Sequence, residues 1–479
     1  MQSPILGGSY TSRSRNLAYE QCINLMPLMI DKPQGKAVGM LINTPGLDLL
    51  ATIGAGPIRG GTSYGIYAYV VSGNALYQVN RSWQATLLGN LATSSGPVSV
   101  LANTTQLLVS DGQLGYLVTY GPPATFATVT SFPVGAQILA YQDGFGLTNI
   151  AGTNQWFQSN LNDFSMWGGL NFSSADAQPE NIVSIVDCNN QVWLLSVDHM
   201  ELWVNAGLAG FAFQRLAGVQ PEVGCVAPYS AIQVGDSVMW LSQDNKGQGL
   251  VMRTKGYGTE DVTDEPTAYQ FAQYAKTYGI ADAIAFTYQQ EKHAFYWLIF
   301  PAAGASWVFD LTTGKWHQRC YWNNGNFYRH LANCGFFFNN ANVVGDYSSG
   351  NIYALDLDTY TDNGQPKRWV RSWRALPPTK AAFQPMTFDS LQIDAQTGIS
   401  VPASSAPEVM LRWSDDGGHR WSNEVKCAFG NTGQTSLRVK FRRLGSTRAD
   451  QGLDRIFELS GTDPVPIALL GAELEASPA

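Results

Sequence analysis

The residues able to do chemistry are few and scattered. Five histidines, at 199, 293, 317, 330 and 419, share no spacing that would hold a metal. His293 and His317 flank a strand-like pair over 295–316, where they could titrate together or satisfy hydrogen bonds at a sheet edge. Six cysteines, at 22, 188, 225, 320, 334 and 427, form no Cys-x-x-Cys and read as buried free thiols. Walker and His-Glu-x-x-His patterns are missing. The glycine-rich stretch 54–65, GAGPIRGGTSYG, lacks a Lys-Ser/Thr ending and opens no helix, so it reads as a turn rather than a phosphate cradle. No catalytic, cofactor or metal residue is expected.

Two other groups of residues have a stated use. Ser414, Asp416, Gly418 and Trp421 lie at the spacing of a tight hairpin turn, in which the carboxylate accepts turn amides and glycine takes positive φ. The spacing is close to the Asp box of sialidase propellers, a turn device remote from catalysis. It predicts a structural turn with Trp421 buried beneath 415–418. The second group is cationic: Lys367, Arg368, Arg371 and Arg374, then Arg438, Lys440, Arg442, Arg443 and Arg448. Leu437, Val439 and Phe441 alternate with Arg438, Lys440 and Arg442, which predicts a strand burying one side and showing cations on the other. A solvated face, a partner interface and contact with a polyanion are all open for these rows. Arg438, Lys440 and Arg442 are the candidate subunit or partner interface.

The elements that must hold these residues are strands. The chain has 479 residues, with 14 Trp, 21 Tyr, 22 Phe, 48 Gly and only 14% charged residues. That profile suits short strands with frequent turns and excludes disorder. The net charge of −8 argues against tight general binding of nucleic acid, though not against loose passage of DNA. No secretory leader and no run of membrane-spanning length is visible, so synthesis in a cytoplasm is expected.

Along the chain, residues 1–56 read as an N-terminal arm. From 57 to 376 a strand–turn–strand theme returns at 69, 107, 141, 185, 234, 294 and 342, at irregular intervals of roughly 35–50 residues, with one longer gap between 234 and 294. The theme fits an irregular β-propeller of six or seven blades, the count favouring seven, although a pair of β-sandwiches would give a similar rhythm. One helix is expected after Asp264, ending at Gly279. Pro377 marks a boundary, and 377–479 reads as a C-terminal antiparallel β-sandwich with some six strands. The fold class is thus all-β.

Taken in order, NLAYEQCINLMP and TPGL near the start, PIRGGTSYGIYAYVVSGNALYQV, EKHAFYWLIFPAAGASWVFDLTTGKWHQR, and RWSDDGGHRWSNE with FRRLGSTR resemble the tail hub or nozzle proteins of short-tailed bacteriophages, also called packaged-DNA stabilisation proteins. Residues 1–14 and 207–223 add nothing to the resemblance. The resemblance implies a non-enzymatic homohexameric ring in the virion tail. It implies a place below the portal and its adaptor ring, where the ring continues the DNA channel and helps retain the genome. Other tail components, such as needle or tailspikes, are implied partners. Genomic DNA would pass with weak contact, and no cofactor or membrane is implied. The competing reading is a sialidase-like propeller that processes or binds glycans, motivated by the Asp-box-like turn and the aromatic content.

Overall fold

The seven strand–turn–strand themes fall in seven different blades of the computed structural model, which describes residues 1–15, 17–29, 37–244, 246–376, 385–399, 406–447 and 455–478; five blades are separate four-stranded antiparallel sheets, and the sixth and seventh are four-stranded parts of larger sheets. The innermost strands are Ile58–Tyr64, Ser99–Ala102, Ala136–Gln142, Ile182–Cys188, Ile232–Val234, Ile284–Gln290 and Ala332–Phe338. Each lies against the next, and the last lies against the first, so seven blades close a ring. The second strands of the blades are apolar on both sides because neighbouring blades stack face to face. Phe295, Tyr296, Trp297, Leu298, Ile299 and Phe300 are all buried for this reason. Hairpins turn on residues that accept positive φ, such as Asn189–Asn190 at 55° and 57° and Asn339–Asn340 at 50° and 66°.

The seventh blade takes only three strands from its own stretch. The fourth is Gly46–Thr52, antiparallel to Asn351–Asp356. The chain then crosses into the first blade through the glycine-rich turn. Gly56 sits there at φ +77, and a Cβ would lie 2.1 Å from the Ser349 carbonyl carbon. The one described α-helix, Glu265–Thr277, begins where expected: the Asp264 carboxylate accepts from the Thr267 amide at 2.9 Å. Its Phe271 is buried against Phe300, Trp307 and Trp316.

The C-terminal unit is a sandwich of two sheets. One runs Val439–Arg442, Met386–Ala395, Ala468–Pro478, Gly39–Asn43 and Leu25–Met29, with Gln2–Ser3 also on the Ala468–Pro478 strand. The other is continuous with the sixth blade. Its outer strand Lys315–Gln318 pairs in parallel with Cys22–Ile23, which pairs antiparallel with Trp369–Arg374. Ile456–Gly461, Glu408–Ser414 and Val425–Ala428 follow in order. Between the sheets, Trp369, Trp373, Phe388, Phe441 and Phe457 pack with Ile5, Cys22, Leu25 and Leu41 from the start of the chain.

Residues 1–56 are therefore not a free arm. They supply strands to the sandwich and the closing strand of the propeller, because both units lack an apolar strand that only this segment provides. Strand Trp369–Arg374, expected within 57–376, pairs with Ile456–Gly461 and belongs to the sandwich. The expected boundary residue, Pro377, lies outside the described residues.

Candidate assembly interface

The Ser414–Trp421 turn forms as the residue types require. The Asp416 carboxylate accepts from the amides of His419 at 3.0 Å and Arg420 at 2.8 Å, and from the Ser414 hydroxyl at 2.8 Å. Ser414 Oγ in turn accepts from the Gly418 amide at 2.9 Å. Burial pushes the Asp416 carboxyl up, but the Arg420 amide, the Ser414 hydroxyl and the His419 amide outweigh it and hold the group below its ordinary value. Trp421 departs from expectation. It is half-buried, with Arg412 stacked 4.6 Å over its ring and Tyr19 at 5.9 Å. The side-chain hydrogen bonds already close the turn, so the indole covers the outer face of the hairpin instead.

The cationic strand alternates as read. Val439 and Phe441 are buried, Lys440 is half-buried, and Arg438 and Arg442 are exposed. Lys440 lies 3.3 Å from Glu475, whose carboxylate also accepts from the Ser390 hydroxyl. Those two hydrogen bonds, Ser390 first, hold the Glu475 carboxyl below its ordinary value. Lys440, Arg442 and Arg443 line an open recess of about 630 Å³ with Asp389, Ser390 and Glu475. The geometry brings Lys440 and Arg442 together; Arg438 precedes the strand on the same exposed side. Arg448 lies outside the described residues.

The first cationic row is different from any reading of a solvated face. Lys367 and Arg371 are 3% and 0% exposed. Arg371 donates to the carbonyls of Ile5 at 2.6 Å, Gly8 at 2.8 Å and Gln21 at 3.3 Å. Lys367 Nζ donates to the Thr44 carbonyl. Both cations hold the N-terminal segment in place. The sequence carried a signal for Arg371: at period two it shares a face with Trp369 and Trp373, which is the inward face. Arg368 is half-buried, pairs with Glu424 at 2.9 Å and lies 4.9 Å over the Trp322 ring.

Two histidines are also internal. His317 and His330 are buried, and burial pushes both well below 6.5; Arg319 adds to this for both, and Lys367 and Arg329 for His330. His293 does not face His317. It pairs with Asp310 at 2.7 Å, and the Phe295 ring stands between the two imidazoles. All six cysteines are free; Cys22, Cys188 and Cys225 are buried, and Cys320, Cys334 and Cys427 are half-buried. Burial pushes the Cys22 thiol up to about 11, which makes it inert at neutral pH. Among the described residues no group of three or more His, Cys, Asp or Glu could hold a metal, and no helix is long and apolar enough to cross a membrane.

The described residues thus form a closed seven-bladed propeller sewn to a sandwich by shared strands and buried cations. The chain belongs to the bacteriophage P22 Gp10 family: the family's β-propeller model matches residues 1–360 and its β-sandwich model matches 368–477. It is thus a phage structural protein of the tail hub type, a family placed in the virion. Among solved structures, the N-terminal domain of Nup159 is 9% identical, with 71% of this chain and 99% of that chain covered at a TM-score of 0.41. The Neurospora crassa Pan2 WD40 domain is 9% identical over 65% and 95%, at 0.40. The WD40 propeller domain of Doa1 is 12% identical over 65% and 98%, at 0.39. No curated protein matches the chain.

Proposed function

We propose that the chain is a non-enzymatic subunit of a homohexameric ring in the phage tail hub or nozzle. The ring continues the DNA channel below the portal and adaptor, helps retain packaged DNA and passes it at ejection. The observation that carries this reading is the end-to-end match of both family domains in their order. The portal-adaptor ring and other tail components, such as needle or tailspikes, are its partners, and synthesis takes place in the host cytoplasm.

Charge supports the reading. Residues 1–367 hold 16 Lys and Arg against 25 Asp and Glu, a balance of −9, and no Lys or Arg occurs from 82 to 214. Residues 368–479 hold 13 against 12, a balance of +1. An acidic propeller releases few counterions on meeting DNA and does not grip it. In a head-to-tail ring two different patches meet, so the Arg438, Lys440 and Arg442 face finds its complement on a neighbour's acidic surface. The glycan-processing alternative loses its motif, because the Asp-box-like turn joins two sandwich strands and is on no blade.

The test is reversal of Arg438, Lys440 and Arg442 to Glu, with sedimentation and a duplex-DNA titration at fixed salt. Loss of the ring with weak DNA binding before and after is expected. Unchanged assembly together with lost DNA binding would put this strand in the lumen and overturn the assignment.

A further inference from the structure

Beside the helix Glu265–Thr277 the surface opens into a cleft of about 850 Å³. Its walls are the helix, the 243–248 hairpin of the fifth blade, and Arg13 from the N-terminal segment. Arg13, Lys246 and Lys276 line it, and no carboxylate does. All three cations are exposed, and none forms an ion pair among the described residues. The nearby Asp244 carboxylate is turned into its own hairpin, where it accepts the amides of Lys246 at 2.9 Å and Gln248 at 2.8 Å. Lys276 suits the negative end of the helix, but Arg13 and Lys246 have no such local use. Cations from three separate elements converge on one recess of an acidic propeller, which fits an anionic group supplied from outside the fold.

The chain carries the complement around its fourth blade. The amides of Asp198 and His199 donate to the Glu180 carboxylate at 3.0 and 3.2 Å. The Met200 amide donates to the Pro221 carbonyl at 3.1 Å, which brings Glu222 alongside. The Ala177 amide, next to Asp176, donates to the Glu201 carboxylate at 2.7 Å. These bonds gather exposed Asp176, Asp198 and Glu222 with half-buried Glu180 into one acidic patch. Among the described residues the group of opposite sign paired with it is the His199 imidazole, 2.6 Å from Glu180. No Lys or Arg occurs from 82 to 214 to offset it. Cleft and patch make no ion pair within one chain, and two unlike surfaces of opposite sign are what a head-to-tail contact requires. Duplex DNA fits the cleft less well, since its charge runs on past the three cations over acidic surface, whereas a partner's carboxylate turn meets the cleft alone.

We propose that the cleft receives the Asp198 and Glu222 patch of a second copy of this chain. The proposal rests on the reading of the chain as a ring subunit, and adds a contact distinct from the Lys440 and Arg442 face. Sedimentation of the full chain at fixed low salt compares the unmutated protein, Lys246→Glu with Lys276→Glu, Asp198→Lys with Glu222→Lys, and an equal mixture of the two double variants. Each double variant alone should associate about tenfold more weakly or worse, because like charges then face each other. The mixture should recover association, because each cleft then meets a patch of opposite sign. All four positions are exposed, so thermal unfolding should not change. Where a reversal does disturb folding, Lys246→Gln with Lys276→Gln should still weaken association by about threefold. If the unmutated chain forms a ring, full assembly by a folded double variant alone, or a mixture that fails to recover, would overturn this contact and leave the ring standing. An unmutated chain that stays single at every concentration would overturn both. Lost duplex-DNA binding in Lys246→Glu with Lys276→Glu, with association unchanged, would make the cleft a nucleic-acid site instead.

Discussion

Arg371 is the most informative residue to change. Its guanidinium is 0% exposed and satisfies carbonyls from three points of the N-terminal segment, at Ile5, Gly8 and Gln21. Replacement by Met keeps much of the buried volume and removes every donor. The Gln21 carbonyl keeps the Ser372 amide as a donor, at 3.1 Å. The buried carbonyl of Ile5 and the half-buried carbonyl of Gly8 are left without a protein partner, at up to about 1–3 kcal/mol each. The net loss is about 3 kcal/mol, once relief of the desolvated charge is set against it. That loss belongs to docking of residues 3–23, so hydrogen exchange is the right assay rather than global unfolding. The amides of Ser9, bonded to the Trp316 carbonyl at 2.8 Å, and Cys22, bonded to Ser9 Oγ at 3.0 Å, report on it. Their exchange in Arg371→Met should accelerate on the order of 100-fold, while amides of the second and third blades stay unchanged. Arg371→Lys, with one donor group, should fall between. An acceleration below about threefold would show that the segment is held by apolar packing alone, and the argument from buried cations would fail.

Acid should weaken the fold early. His317 and His330 have depressed values in the folded state, so their contribution is complete above the unfolded value near 6.5 and is lost as pH falls below it. With two protons taken up on unfolding, the slope reaches about 2.7 kcal/mol per pH unit, measurable by urea unfolding between pH 7.5 and 5; a flat profile would contradict the burial of both groups. Trp421→Ala should cost only about 1 kcal/mol by thermal unfolding, since the ring is half-buried against Arg412 and Tyr19; a loss of 3 kcal/mol or more would mean that it is a core residue after all.

Local physics made much of this chain legible. The seven themes each carried a strand, a turn and a second strand, and each sits in its own blade. The Asp416 turn and the Val439–Arg442 alternation are equally local, and both took the expected form. What escaped was set by distance along the chain. Gly46–Thr52 reads the same whether it is an arm or the closing strand, because its partner lies some three hundred residues on. Arg371 showed its inward phase, but a cation between two tryptophans reads as surface until the carbonyls that hold it are known. Tyr64, Tyr67, Tyr69 and Tyr120 are spread over two blades, and only packing of the first blade against the second brings them together.

The sewing of the two units fixes when the molecule can mature on the ribosome. At roughly 5–20 residues per second, Gly46–Thr52 is made on the order of 15–60 s before the strand it pairs with. Cys22–Ile23 and Gly39–Asn43 wait longer still, for Trp369–Arg374 and Ala468–Pro478. During that interval the nascent chain carries unpaired apolar strands at its start, a burden that favours shielding by a chaperone. The delay also works as a checkpoint. A chain broken before residue 456 lacks the strand that joins Trp369–Arg374 to Glu408–Ser414, so it cannot present the Lys440 and Arg442 face in folded form. Incomplete products of translation therefore lack the two-sheet fold that carries that face.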